Sequence, residues 1–161
     1  MFCGTLQKSG DRDMKNGTPL MFMAILFMAA LLICCENNKQ EVNNEMKMNV
    51  NVNGQDFIAT LELNSAVDAF VQMMEAGTVT LQLRDYSGFE KVGPLGQSLP
   101  ASDRQTTTHA GDIVLYQGDQ IVMFYGSNSW SYTRLGHIDD LTGWKEALGN
   151  GDVTVTFSVE D

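Results

Sequence analysis

Few residues in this sequence are placed to do chemistry. His109 and His137 stand far apart, with no Cys or second His at ligand spacing, so no zinc set is expected. Asp139-Asp140 offers adjacent carboxylates without the regular oxygen-ligand loop of a calcium site; the expected role is helix capping. Ser127, Ser129 and Ser131 lie close together, but no Gly-x-Ser-x-Gly turn activates a hydroxyl. No glycine-rich loop leads into a helix to cradle a phosphate. Neither a metal nor a cofactor is expected, and no catalytic residue follows from spacing. The remaining signal is aromatic. Tyr125, Trp130, Tyr132 and Arg134 fall in one short segment, and Tyr86, Phe89 and Lys91 in another. Aromatic side chains and arginine are the usual anchors of binding surfaces. Phe89, Tyr125, Trp130, Tyr132 and Arg134 are therefore candidate ligand-binding residues, for a peptide, a protein or a small ligand. The competing reading has Trp130 and Phe89 plugging one end of the fold.

Those side chains need a scaffold, and the pattern turns to β structure from Met46. Apolar and polar residues alternate on both sides of Asn53-Gly54, a pair suited to the positive-φ turn of a two-residue hairpin. Asn64 or Ser65 can cap a helix that carries Ala66, Ala69, Phe70 and Met73 and stops at Gly77. Val79, Leu81 and Leu83 mark the next strand. Asp85 to about Asp103 shows little periodicity and is expected to be a long functional loop. A second hairpin turns around Gly118-Asp119. A strand is expected from Ser131 to Ile138, with Tyr132 and Arg134 on one face and Leu135 in the core. A short helix is expected over Asp139–Leu148, capped by Asp140 or Thr142, and a last strand over Asp152–Val159. About eight strands and two short helices in so small a domain leave hazardous edges unless the sheet closes, so a mainly β, closed barrel is expected.

The stretches DYSGFEKVGPLGQSLP, HAGDIVLYQGDQIVMFYGSNSWSYTRLG and EALGNGDVTVTF resemble the bacterial cyclophilin-like fold proteins, over Met46 to Val159. The resemblance implies a closed eight-stranded β-barrel with two capping helices, in a family largely without assigned activities. Cyclophilins polarise a prolyl amide with an Arg and hold the ring in an apolar pocket, lowering a rotation barrier of ~18–20 kcal/mol. Their Arg-x4-Phe-Met-x-Gln pattern falls here on Arg84 and Phe89, with Glu90 in the Met place and Val92 in the Gln place. Their Trp corresponds to Trp130 and their pocket Phe to Val122, and no His precedes Leu135-Gly136 at the matching place. The resemblance itself supplies no function; with these departures and the aromatic surface, the expected role is a non-enzymatic binding module. Weak peptidyl-prolyl isomerase activity through Arg84, Phe89 and Trp130 is the alternative.

The N-terminal part speaks to location. The sixteen residues Leu20–Cys35 are uncharged and apolar, shorter than the roughly 20 of a comfortable membrane-spanning helix. Basic residues precede them, as in a secretory signal peptide. Asp11 and Asp13 do not suit such a signal, and Met14 makes a better start. Leu32-Ile33-Cys34-Cys35 resembles a lipobox, with Cys35 the expected acylated residue and Cys34 the alternative. Residues 1–35 are thus expected to be an N-terminal extension and lipoprotein-type signal, 36–45 a flexible tether and 46–161 the folded domain. The expected location is the cell envelope, lipid-anchored and facing the periplasm or exterior; secretion or an uncleaved membrane anchor is the alternative. All three cysteines lie within residues 1–35, so the domain is held without disulfides. The chain carries a net charge of −10, and residues 36–161 hold seven basic and eighteen acidic residues. A domain with that excess repels phosphate backbones, so nucleic acid is not an expected partner.

Overall fold

The computed structural model describes residues 45–160. The expected signal segment, Cys3, Cys34, Cys35 and nearly all of the expected tether lie outside the described residues, as does Asp161.

The chain opens with strands β1 (Lys47–Val52) and β2 (Gln55–Leu61). Asn53 and Gly54 both take positive φ, 51° and 93°, so the reversal follows the right-handed twist of the strands it joins. Asn51 Oδ1 accepts from the Gly54 N–H at 3.0 Å and pins the turn. Period-two alternation then sends Met48, Val50 and Val52, with Phe57, Ala59 and Leu61, into the core. Helix α1 (Ser65–Ala76) begins at Asn64, whose extended backbone lets its Oδ1 accept from the Val67 N–H at 3.0 Å. It buries Ala66, Val67, Phe70 and Met74, and Phe70 meets Phe157 edge to face at 5.4 Å.

There follow β3 (Val79–Tyr86), β4 (Glu90–Pro94), β5 (Arg104–Thr107), β6 (Asp112–Tyr116), β7 (Gln120–Phe124) and β8 (Ser129–Ile138). Helix α2 (Trp144–Leu148) and β9 (Val153–Val159) complete the domain. The strands run in the order β2-β1-β9-β3-β4-β7-β6-β8, all antiparallel, and β2 pairs back onto β8 to close an eight-stranded barrel. The ninth strand, β5, pairs with the N-terminal half of β8. At the seam Leu61 faces Gly136, where a Cβ would collide with the Thr60 carbonyl oxygen. Glycine is what lets the two strands approach. Trp144 seals one end: it is 1 % exposed, packs on Phe57 at 5.0 Å and donates its Nε1–H to the Phe124 carbonyl at 2.9 Å.

Three expectations need correction. The long loop over Asp85–Asp103 is instead a hairpin followed by a shorter connection. Its turn is built on positive φ at Ser87 and Gly88, and the inward positions of β4 are Lys91 and Gly93, so no apolar alternation advertises the strand. Strand β5, Arg-Gln-Thr-Thr, has no apolar residue and was not anticipated. Helix α2 is only five residues, entered through left-handed Gly143, not Asp139–Leu148. Asp140 Oδ1 accepts from the Thr142 N–H at 2.9 Å in a turn ahead of it. Asp139 does not cap the helix either; it pairs with Lys47 Nζ at 2.6 Å.

Candidate functional site

Neighbouring residues across a sheet share a face, and the pairings of β3, β4, β7, β6 and β8 set out what the barrel presents on its outside. One row reads Arg84, Val92, Val122, Val114, Arg134; the next reads Tyr86, Glu90, Phe124. Half of an outer barrel face should be polar where it meets water, yet Val114, Val122, Phe124 and Tyr132 form a second buried cluster here, separate from the barrel core. Phe89, Val92 and Tyr116 pack against it. Tyr132 organises this patch, meeting Phe124 at 5.7 Å and Tyr116 at 6.0 Å, both edge to face. Its hydroxyl accepts from Asn128 Nδ2 at 3.0 Å, and burial raises its pKa above the ordinary phenol value.

Above the cluster lies a groove of about 370 Å³, within the size range of small-ligand sites. Val92 and Val122 line it together with Tyr86, Tyr116, Trp130 and Tyr132. Trp130 is 57 % exposed and is placed by β5, whose Thr106 is its register partner. The Thr107 and Ser129 hydroxyls, 2.8 Å apart, tie the same strands together.

Glu90 also lines the groove, the one charged residue among the described residues to do so. It is 7 % exposed, and its Oε2 has no hydrogen-bond partner among the described residues. Burial pushes its carboxyl pKa up to about 7, because desolvation disfavours the ionised form. A buried acceptor without a partner is uncommon in a folded domain and calls for an explanation.

The next residue points the other way. Lys91, fully buried, occupies the inward row Asp85, Lys91, Met123, Ile113, Gly136. Its ammonium donates to Asp85 Oδ1 at 2.7 Å, the Gly149 carbonyl at 3.0 Å and the Gly151 carbonyl at 2.7 Å, and it sits 5.2 Å from the Tyr125 ring centre. Tyr125 donates its hydroxyl to the same Asp85 oxygen. The hydrogen bond from Lys91 holds the Asp85 pKa below the usual carboxylate range. Burial, then Asp85, pushes the Tyr125 phenol up to about 12.

The expected site residues thus divide. Trp130 and Tyr132 line the groove, and Phe89 supports its base, half-buried and edge to face with Tyr86 at 6.2 Å. Trp130 and Phe89 do not plug the barrel; Trp144 does. Tyr125 belongs to the Lys91–Asp85 network. Arg134 is held by Asp112 at 2.8 Å and Glu62 at 3.6 Å, outside the groove lining. Arg84 is exposed on the outer face, across from Val92. Tyr116 and Glu90 were not anticipated as site residues. Glu90, Val92 and Val122 are three of the positions at which the chain departs from the cyclophilin pattern, and all three line the groove.

A closed antiparallel barrel with a concave aromatic patch on the outside of its β3-β4-β7-β6-β8 wall is a cyclophilin-type architecture. The family model of the cyclophilin-like family matches residues 50–158, nearly the whole described domain, and the chain belongs to that family. Comparison with curated proteins gives no match.

Proposed function

We propose that the domain is a non-enzymatic binding module of the cell envelope, held to the membrane by a lipid on Cys35 and engaging a short peptide segment or small ligand in the groove. The observation that supports this most is the half-exposed Trp130 beside buried Tyr132, over an apolar cluster that folding alone does not require on an outer barrel face. An exposed Trp gains little from folding, so a partner that covers it gains the burial instead. A panel of capped tripeptides, varied at the central residue, titrated against the full chain in non-ionic detergent, tests the reading. The expected result is selective movement of the Trp130 indole resonance, lost in Trp130→Ala. Perturbations confined to residues outside the groove would count against it. Mass spectrometry of the mature N-terminus tests the anchor: a diacyl-glyceryl adduct on Cys35 is expected, and an uncleaved chain overturns it.

Residual prolyl isomerase activity has one observation in its favour, the position of Arg84 on the groove face across from Val92. Of the polar partners that would orient a prolyl amide, the Gln is replaced by Val92 and the His is absent, so the expected rate in a protease-coupled assay is the uncatalysed one. Acceleration abolished by Arg84→Ala would reverse this reading.

A further inference from the structure

We infer that the groove is a receptor for an alkylammonium group, seated against the aromatic faces of Tyr86, Tyr116, Trp130 and Tyr132 with the Glu90 carboxylate as its counter-ion. The inference rests on the groove being a binding site and names what it takes. Aromatic rings attract cations through the negative potential of their faces, most strongly when water is excluded. Four rings from three strands, Tyr86 on β3, Tyr116 on β6 and Trp130 and Tyr132 on β8, converge here on one volume, the arrangement of an aromatic cage.

Glu90 supplies the second, independent observation. A carboxyl group in an apolar groove has a cost unless something pairs with it, and Oε2 has no partner among the described residues. No ion pair among the described residues involves Glu90. Lys91, its neighbour in sequence, is turned into the barrel and occupied by Asp85 and two carbonyls. Arg134 is occupied by Asp112 and Glu62. Arg84 lies across from Val92 and Arg104 across from Tyr132, at the groove's two margins. No side chain among the described residues pairs with Glu90, which leaves that place to a cation from outside the domain. The acidic excess of residues 36–161 draws cations toward it and repels anions. A neutral apolar ligand would use the rings but leave the carboxyl unpaired.

The head group can come from a free amine or from a lysine side chain, and paired probes separate these sources. Choline is compared with its neutral isostere 3,3-dimethylbutanol, and N-acetyl-lysine amide with N-acetyl-norleucine amide. Each is titrated against the full chain in non-ionic detergent. The Trp130 indole N–H resonance is the reporter, with the sealed Trp144 as internal reference. The expected result is at least a tenfold tighter dissociation constant for one or both cations than for the matching neutral compound. The preferred cation identifies the source. In Glu90→Gln, which keeps the shape and removes the charge, the ratio falls several-fold toward unity, the rings keeping a residual preference, while neutral binding persists. Equal affinity for cation and isostere, or a ratio unchanged in Glu90→Gln, overturns the ammonium assignment and leaves the groove as an apolar site. If none of the four probes moves the Trp130 resonance, the binding role of the groove falls with it.

Discussion

Glu90 and Lys91 are adjacent in sequence and opposite in circumstance. Both are buried, but Lys91 has three hydrogen-bond acceptors and Glu90 Oε2 has none. Glu90 should therefore make stability depend on pH. Its folded pKa of about 7 lies above the ordinary carboxylate value of 4.5, so the folded state holds the proton more tightly than the unfolded one. The penalty is absent below pH 4.5, grows as the unfolded chain ionises and is complete above about pH 7. Discounted for solvent entering through the open groove, it amounts to roughly 2 kcal/mol. Urea unfolding at pH 5 and pH 8 should show this loss in the native protein, and Glu90→Gln should remove most of it. Lys91→Ala should do the reverse and destabilise the domain by about 2–3 kcal/mol, since it empties a fully buried position and takes the donor from two carbonyls and from the partly exposed Asp85. Thermal melts of the variant check this, and an unchanged melting temperature would contradict the network described here.

At the scale of elements, sequence legibility followed apolar periodicity. The two hairpins turning at Asn53-Gly54 and around Gly118 were readable because turn residues interrupt clean period-two runs. Helix α1 was readable from its Asn64 cap and its spacing. Strand β4 was not, because its inward residues are a charged Lys91 and the glycine Gly93. A Cβ at Gly93 would come within 2.5 Å of the Gln82 carbonyl oxygen. Strand β5 was not, because a short polar strand added to an edge buries nothing that a pattern could show. The site was half readable for a related reason. Trp130 and Tyr132 stand out by residue type alone. Glu90 is distinctive only through the burial imposed by rings on other strands, which no local window contains. The barrel seam gives the prediction at this scale. Gly136→Ala should force β8 away from Thr60 and cost about 1–3 kcal/mol, and amide exchange should accelerate first at Thr60 and His137, which pair across the seam.

For the whole molecule, the closed barrel solves a problem of size. About 115 residues with no disulfide within residues 36–161 must be held by burial alone, and closure leaves no long, flat edge among the eight barrel strands. The melting temperature should accordingly be the same with and without dithiothreitol, and a drop on reduction would reveal a cross-link involving the cysteines of residues 1–35. The acidic surface should keep the domain from DNA at any salt concentration, as a gel-shift titration would show.

Strand β8 carries one more consequence. Its C-terminal residues, Gly136 to Ile138, fasten the barrel to β2, while Trp130 and Tyr132 at its other end meet the groove. One continuous ten-residue segment thus serves as both latch and sensor. A ligand that binds only the native form raises the free energy of every opening that releases that form. Occupancy at one end of β8 should therefore be legible at the other as slower deuterium uptake at Ile138, on an unlabelled protein and before the ligand itself has been identified.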